Sequence, residues 1–286
     1  MEDPPLTFAA GARSDHAFAT CRRDDPASAA PPSSAPPGPP MRRFALLVLL
    51  VLFVLPLSSH ALWRWTSGWP GTWSGADWSS AGILPAAAVA DEAVVHVMAA
   101  RVGNWRSIFA HHSWVVMKPA GAATYTRYDV VGWGEPVRTN HRVPDGRWYG
   151  NEPEILLTLT GPAAADAVPA ITRAVADYPH GLRGSYRAWP GPNSNTFVAH
   201  LASEVPALAP ALLPTALGKD YRGSLLYAGR SVSGTGLQVS LGGVFGVTLG
   251  WVEGAELNLL GLVAGLDLRR PALKLPGWGR LGMAPA

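Results

Sequence analysis

A histidine and a serine lie where a fold could bring them together as base and nucleophile. His112 opens the stretch His-Ser-Trp-Val-Val-Met-Lys, which alternates like a β-strand. Ser194 lies in Pro-Gly-Pro-Asn-Ser-Asn-Thr-Phe, where Asn193 is a good N-cap and a new helix would offer free backbone N–H groups. A serine needs such a base, and N–H groups near Asn195 would stabilise an oxyanion. The pattern predicts a hydrolase or acyltransferase acting on an amide or ester, with Ser194 as nucleophile, His112 as base and Asn195 at the oxyanion position.

The same residues also have a purely structural interpretation. Asn193 or Ser194 would cap the helix, while Asn195 and Thr196 would satisfy its first turn. The protein would then be a non-enzymatic envelope module whose pocket binds a peptide, a glycan or a lipid head group. The residues expected to contact such a ligand are Asn193, Trp114, Trp189, Arg187 and His180.

Other kinds of site are not indicated by the sequence. A zinc site needs several closely spaced ligands, and no such cluster of His, Asp and Glu is visible. The single cysteine, Cys21, lies near the N-terminus, so the rest of the chain has no disulfide and no thiol nucleophile. The net charge of +3 is mild and the arginines are scattered, which does not indicate nucleic acid. We expect no metal, no cofactor and no nucleic-acid partner.

The N-terminal segments indicate export from the cytoplasm. Residues 1–40 are rich in Pro, Ala and Ser, which predicts a disordered tail, or upstream sequence if Met41 is the true start. Arg42 and Arg43 then precede an apolar run from Phe44 to Leu57, the pattern of a signal peptide. Continued to residue 63, this run just reaches the length of a bilayer span.

Two fates are open for residues 41–63. They form an uncleaved anchor that contacts the membrane through residues 44–63, or a signal that is cleaved after Ala61. In both cases the arginines stay in the cytoplasm and the rest is exported. The sequence thus predicts a single-pass protein of the bacterial inner membrane, or a periplasmic one. The linker at 64–92 is rich in Trp and Gly and would lie at the membrane interface or as a loop on the domain.

Residues 93–230 predict an α+β core that positions the chemistry. Val-rich alternation predicts strands over 92–102 and 112–118, and the second is joined to a strand over 123–133 by a Pro-Ala-Gly turn. Another strand is predicted over 154–161. Helical spacing predicts helices over 162–177 and 193–204. We expect an antiparallel sheet with these two helices packed on it.

Strand alternation also assigns the histidines to faces. His112 and Trp114 share one face of their strand, and His111 and Ser113 share the other. Only one of the two histidines can therefore face a given cleft.

Residues 231–286 predict a glycine-rich β section packed on the core. Alternating apolar residues and frequent glycines indicate short, tightly turned antiparallel strands. Polar residues interrupt it, and buried carboxylates need partners. Either Arg269 and Arg270 supply these partners locally, or the section covers and completes the cleft. The polar residues in question are Glu253, Glu256, Asn258 and Asp267.

Three stretches carry a family resemblance: HSWVVMKP, YPHGLRGSYRAWPGPNSNTFV and EGAELNLLGLVAGLDLRRPALKLPGWGR. Together they resemble the bacterial family catalogued as domain of unknown function 3750, from about Val94 to Gly282. That resemblance implies a family but no reaction.

A more distant similarity concerns the order of a His-x-Trp strand, a hairpin strand and Asn-Ser-Asn-Thr-Phe at a helix start. This order is similar to circularly permuted papain-like enzymes of the NlpC and lecithin:retinol acyltransferase groups. The similarity implies a permuted papain-like fold with His112 as base and Ser194 as nucleophile, flanked by Asn193 and Phe197. These enzymes use cysteine at the nucleophile position, so the resemblance implies either a serine variant or a binding fold that has lost the chemistry.

Overall fold

The structure is a computed structural model that describes residues 39–68, 73–89 and 91–284. Residues 1–38, for which the sequence predicts a tail, lie outside the described residues, and so does Cys21. The described chain consists of helices and antiparallel sheets, which confirms the α+β class.

An apolar helical segment begins at Pro39 and ends at Ser67. It consists of α1 (Pro39–Leu49), a π-helical turn (Leu50–Val54) and α2 (Leu55–Ser67). Within the described residues, this segment is the one helix that is long and apolar enough to cross a membrane, and its most apolar 18-residue window has a mean hydropathy of 2.4. The predicted apolar segment is therefore helical, and the helix continues four residues past its predicted end at residue 63.

The first sheet has five strands in the order β4-β3-β2-β1-β5, with antiparallel neighbours. The strands are β1 (Val94–Arg101), β2 (His111–Lys118), β3 (Thr126–Val130), β4 (Val137–Thr139) and β5 (Glu154–Thr160). β1 is buried on both faces from Val94 to Ala100, which explains its nearly continuous apolar sequence. The predicted hairpin is present, since β2 pairs with β3.

Two helices pack on this sheet, as expected. They are α3 (Gly161–Ala176) and α4 (Ser194–Glu204). Phe197 and Leu201 of α4 share one buried cluster with Val97 and Val115 of the central strands. The opposite face of the sheet buries a separate cluster that includes Trp148. The two faces thus have different neighbours, and this decides which residues meet.

The glycine-rich section forms a second sheet of seven antiparallel strands, each paired with its neighbour in sequence. The strands are β6 (Leu226–Arg230), β7 (Gly236–Leu241), β8 (Phe245–Gly250), β9 (Gly254–Leu259), β10 (Leu262–Asp267), β11 (Ala272–Leu275) and β12 (Gly279–Gly282). β6 lies within the segment that the sequence assigned to the core. Leu260 and Gly261 link β9 to β10 with φ of 56° and 84°, as a two-residue hairpin requires.

Candidate functional site

Asn193 caps α4 with a complete set of hydrogen bonds. Its Oδ1 accepts from the backbone N–H groups of Asn195 at 2.9 Å and Thr196 at 3.1 Å. In return, Thr196 Oγ1 accepts from the Asn193 N–H at 3.2 Å. This reciprocal arrangement is a capping box. The N–H groups proposed as oxyanion donors near Asn195 are therefore already bonded within the cap.

The asparagine side chains also tie the helix to the surrounding chain. Asn193 Nδ2 donates to the Leu217 carbonyl at 2.9 Å. Asn195 Nδ2 donates to the carbonyls of His111 and Leu217, both at 2.9 Å. Both side chains are buried. Asn195 thus joins the start of α4 to the start of β2, and both asparagines tie it to Leu217.

His112 and Ser194 lie on opposite sides of the first sheet. The His112 ring stacks on Trp148 with 3.7 Å between ring centroids and 3° between planes. Trp148 belongs to the cluster on the face away from α4. Val115 of β2 belongs to the other cluster, on the face that packs against α4. By the alternation of β2, the histidine on the α4 side is His111. The structure therefore does not bring together the base and nucleophile that the sequence paired, and the papain-like mechanism stays a prediction.

His112 belongs instead to a closed cluster around Asp129. Asp129 accepts from Arg127 Nη2 at 2.8 Å, lies 2.9 Å from His141 Nδ1, and lies 3.6 Å from His112 Nε2. Burial alone would raise the pKa of Asp129, but the two adjacent histidines and the Arg127 charge hold it far below its ordinary value. Burial also lowers the pKa of His112. Asp129, Arg127 and His112 are almost completely buried and the His141 side chain is 18% exposed, which favours a structural role.

The other predicted ligand contacts differ in burial and in their partners. Trp114 is fully buried and donates to the Pro144 carbonyl at 2.9 Å, so it offers no surface to a ligand. Trp189 is half exposed and donates to the Leu260 carbonyl at 2.9 Å. Arg187 is exposed, and His180 packs between aromatic rings. The segment that carries Arg187 and Trp189 lies beside the start of α4, since Asn193 Nδ2 donates to the Ala188 carbonyl at 3.0 Å, and the ligand contacts stay a prediction.

A polar cavity of about 650 Å³ lies between the two sheets. Its core wall comes from the ends of β1, β2 and β5 and from residues 209–220, and its other wall is the inner face of the second sheet. The C-terminal section thus forms one wall of this cavity, which is not the cleft expected from the sequence, because neither Ser194 nor His112 lines it. Polar residues of the core wall are Arg101, His111, Glu154, Thr215, Lys219 and Asp220. Those of the sheet wall are Gln238, Thr248, Glu253, Glu256, Asp267, Lys274 and Arg280.

Buried ion pairs hold the two walls together. Lys219 Nζ donates to Asp220 at 2.8 Å and to Glu256 Oε2 at 2.6 Å, and Lys274 Nζ donates to Glu256 Oε1. Burial alone would raise the pKa of Glu256, but the two ammonium groups lower it to about 2. Burial alone would lower the pKa of Lys219, but its carboxylate neighbours raise it above the ordinary value. Lys219 and Glu256 are therefore both charged at neutral pH.

The local arginine partners expected for the carboxylates are wrong in most cases. Asp267 pairs with Arg280 at 3.1 Å. From Arg270 it accepts a hydrogen bond of the backbone N–H and not of the guanidinium group. Glu253 accepts from the N–H and hydroxyl of Ser233. The lysine partners of Glu256 lie 18 and 37 residues away in sequence. The charges were therefore identified from the sequence, but their partners depend on strand pairing and on docking of the core.

Several buried polar atoms of the cavity residues have no hydrogen-bond partner within the described part of the chain. They are His111 Nδ1, Thr215 Oγ1, Gln238 Oε1, Arg269 Nε, Arg280 Nε and Arg280 Nη1. Burial and the Arg101 charge lower the pKa of His111 well below its ordinary value, so its ring is neutral. Unpartnered buried groups cost about 1–3 kcal/mol each, and they favour binding of a molecule that satisfies them.

Sequence reasoning missed this cavity although a signal was present. Polar residues recur at every second position of the glycine-rich strands, as in Gln238 and Ser240 or Glu256 and Asn258. Such alternation predicts one polar and one apolar face.

No group of three or more His, Cys, Asp and Glu side chains in the described ranges is arranged to hold a metal ion.

Replacing Ser194 by cysteine distinguishes the cap from the nucleophile. In the full chain carrying Cys21→Ser, we expect the Ser194→Cys thiol to show an apparent pKa at or above about 8.5. The reason is that nearby N–H groups are bonded to Asn193, and His112 lies on the far face. The measurement is the rate of alkylation by iodoacetamide against pH. A pKa well below this value that rises when His112→Gln is added would support the catalytic pair instead.

A comparison with protein-family models gives a match over the first sheet and its helices. Residues 92–221 match the family described as "Protein of unknown function (DUF3750)". This match covers the first sheet, α3, α4 and the core wall of the cavity. A search of curated proteins and a search of solved structures each give no match to the chain.

Proposed function

We propose that this chain, whose residues 92–221 belong to the DUF3750 family, is a membrane-anchored binding protein of the bacterial cell envelope with its ligand site between the two sheets. The observation that carries the proposal is the set of unpartnered polar atoms on both walls of one cavity. The volume of about 650 Å³ lies within the usual range for small-molecule sites. A ligand that reaches both walls would satisfy groups that the fold leaves unpaired.

The chemistry of these atoms favours a largely uncharged, hydrogen-bonding ligand. Thr215 Oγ1 both donates and accepts, Gln238 Oε1 accepts, and His111 Nδ1 in the neutral ring donates or accepts according to the tautomer. The arginine atoms of Arg269 and Arg280 only donate, and the charge of Arg280 is paired with Asp267. The charged groups around them, such as Lys219 and Glu256, already neutralise one another. A ligand with hydroxyl and amide groups, that is a glycan or peptide fragment of the envelope, fits this set better than an anionic lipid head group does.

The N-terminal helix supports the location. Arg42 and Arg43 lie at its N-terminal end, and positive charges of this kind remain in the cytoplasm. With the helix spanning the inner membrane, the rest of the chain is exported. The helix also contacts the folded part, since Trp278 donates to Ser59 Oγ at 2.9 Å. This contact favours retention of the helix over cleavage after Ala61.

The hydrolase or acyltransferase hypothesis remains as the second function. It would need His112, or His111 in its place, to reach the Ser194 hydroxyl. The geometry in its favour is that His111 lies on the α4 side of β2 and that its carbonyl accepts from the Asn195 side chain. The thiol titration of Ser194→Cys tests this function independently of ligand binding.

Removing one unpartnered hydroxyl tests the binding site. Thr215→Val keeps the shape of the side chain, so we expect the free energy of unfolding not to fall. We expect affinity to weaken about two- to tenfold, since one net hydrogen bond contributes about 0.5–1.5 kcal/mol. The measurement is calorimetric titration of the detergent-solubilised full chain with a disaccharide of N-acetylhexosamines, an uncharged tetrapeptide amide and glycerophosphoethanolamine.

The matched control is Thr172→Val on the exposed side of α3, whose hydroxyl donates to the Val168 carbonyl. This variant should bind as tightly as the parent chain. Failure of both the disaccharide and the peptide to bind would overturn the proposed ligand class. Equal affinity of the Thr215→Val variant and the parent would remove the cavity as the site.

A further inference from the structure

The second sheet is built with its polar face inward and its apolar face outward. Side chains alternate along each strand, and the inward set, such as Gln238, Thr248 and Glu256, is buried. On β7 to β12, every outward residue other than glycine is apolar. An antiparallel sheet in water normally shows the reverse pattern.

Strand register turns the outward residues into continuous rows. Val239 pairs with Val247 and Val247 with Leu257, while Leu241 pairs with Phe245 and Phe245 with Leu259. Leu237 is 69% exposed and Val247, near the middle, is 46% exposed. The outward charge found on the sheet is Arg230, at the end of edge strand β6. We call this surface, formed by the outward residues of β6 to β12, the leucine face.

The leucine face is continuous with the apolar N-terminal helix. A shallow cleft joins Ala45, Val48, Leu49 and Phe53 of the helix to Val239, Phe245 and Leu257 of the face. Phe53 is buried at this junction. Farther along the helix, His60 packs against Gly277, and its ring contacts Trp278. The other sides of the helix stay exposed, including Leu46 and Leu47.

From this geometry we propose that the leucine face contacts the acyl chains of the lipid bilayer. The inference rests on the proposed anchoring of the helix in the membrane. Residues 45–53 lie inside the apolar run of the helix, so a surface packed beside them lies at the same depth as the hydrocarbon. The inner strands have hydrogen-bonded neighbours on both sides and present no unpaired backbone to lipid.

Composition favours lipid over a protein partner. Energetically dominant residues of protein interfaces are enriched in Trp, Tyr and Arg, whereas Leu and Val are under-represented. The leucine face carries mainly Leu and Val, and Phe245 is an aromatic residue among its outward side chains. Outward apolar and inward polar alternation is also the pattern of strands whose outer side faces lipid. The cavity would then lie directly behind a membrane-embedded surface.

Spin-label accessibility tests the proposal in the full chain. Nitroxides are attached to Val247→Cys on the leucine face, Leu47→Cys on the helix and Leu182→Cys in the loop after α3, each with Cys21→Ser. Leu182 is 77% exposed and serves as the reference for water. In vesicles of phosphatidylethanolamine and phosphatidylglycerol, collision rates with oxygen and with a neutral nickel chelate are measured. We expect high oxygen and low nickel accessibility at Val247 and Leu47, and the reverse at Leu182.

The other outcomes separate the alternatives. A Val247 label as open to nickel as the Leu182 label, with Leu47 in lipid, would place the face in water and overturn the inference while the anchor stands. Low accessibility to both reagents at Val247 would show a protein cover, such as a second copy, and would also overturn it. A Leu47 label in water would remove the anchoring on which the inference rests. Ligand binding in the cavity is measured separately by calorimetry and can fail alone.

Discussion

Glu256→Gln is expected to lower the free energy of unfolding by about 3–5 kcal/mol. Glu256 accepts from both Lys219 and Lys274, and all three side chains are at least nine-tenths buried. Removing its charge leaves Lys274 without a carboxylate partner in the cavity wall and leaves Lys219 with Asp220 alone. The measurement is urea unfolding of the detergent-solubilised chain followed by tryptophan fluorescence.

A surface pair provides the control for this variant. Glu135 accepts from Arg183 at 3.1 Å, and both side chains are mostly exposed. Because water screens such a pair, Glu135→Gln should change stability by no more than about 1 kcal/mol. A loss for Glu256→Gln as small as for Glu135→Gln would contradict the assignment of the buried network as the link between the sheets.

The pH dependence of stability follows from the direction in which folding shifts the pKa of Glu256. The pKa of Glu256 is about 2 in the folded chain, against 4.5 for an ordinary glutamate. Its contribution to stability is therefore complete above about pH 4.5 and is lost as the pH falls from 4.5 towards 2. In Glu256→Gln this part of the acid dependence should disappear, which gives a second measurement on the same two proteins.

Asp129→Asn is expected to cost a similar amount, about 3–5 kcal/mol, on the opposite face of the first sheet. The substitution keeps the shape of the side chain but removes the charge that Arg127 contacts at 2.8 Å and that the two histidines approach. Arg127 is almost completely buried, with its guanidinium 4.2 Å from the Trp114 ring. The variant thus leaves a buried cation without its counter-ion.

A double-mutant cycle with Arg127→Met isolates this pair. Because the cation is absent in the double variant, its loss of stability should be smaller than the sum of the two single losses. Ligand affinity measured on the folded fraction should not change, because the Asp129 cluster lies across the sheet from the cavity. Additive losses, or a change in affinity, would contradict a purely structural role for this cluster.

Local sequence patterns predicted most of the elements. Helical spacing predicted α3 and α4 to within about one residue, and Asn193 was identified as the N-cap that it proves to be. Alternation correctly placed His112 with Trp114 and His111 with Ser113. The apolar run after Arg43 predicted the helix that could cross a membrane. Each of these features depends on residues within a few positions of one another, so their period and chemistry are readable from the chain.

The tertiary structure decided the partners. The sequence showed that His112 and His111 face opposite ways, but only packing of α4 on one face determined that Ser194 lies on the side of His111. It showed that Glu256 needs a cation, but Lys219 reaches it across 37 residues because the second sheet docks on the core. It contained the alternation of the glycine-rich strands, but which face turns inward depends on what the core presents. Period and propensity are properties of neighbouring residues, whereas burial, ion pairing and cavities arise from contacts between segments far apart in the chain.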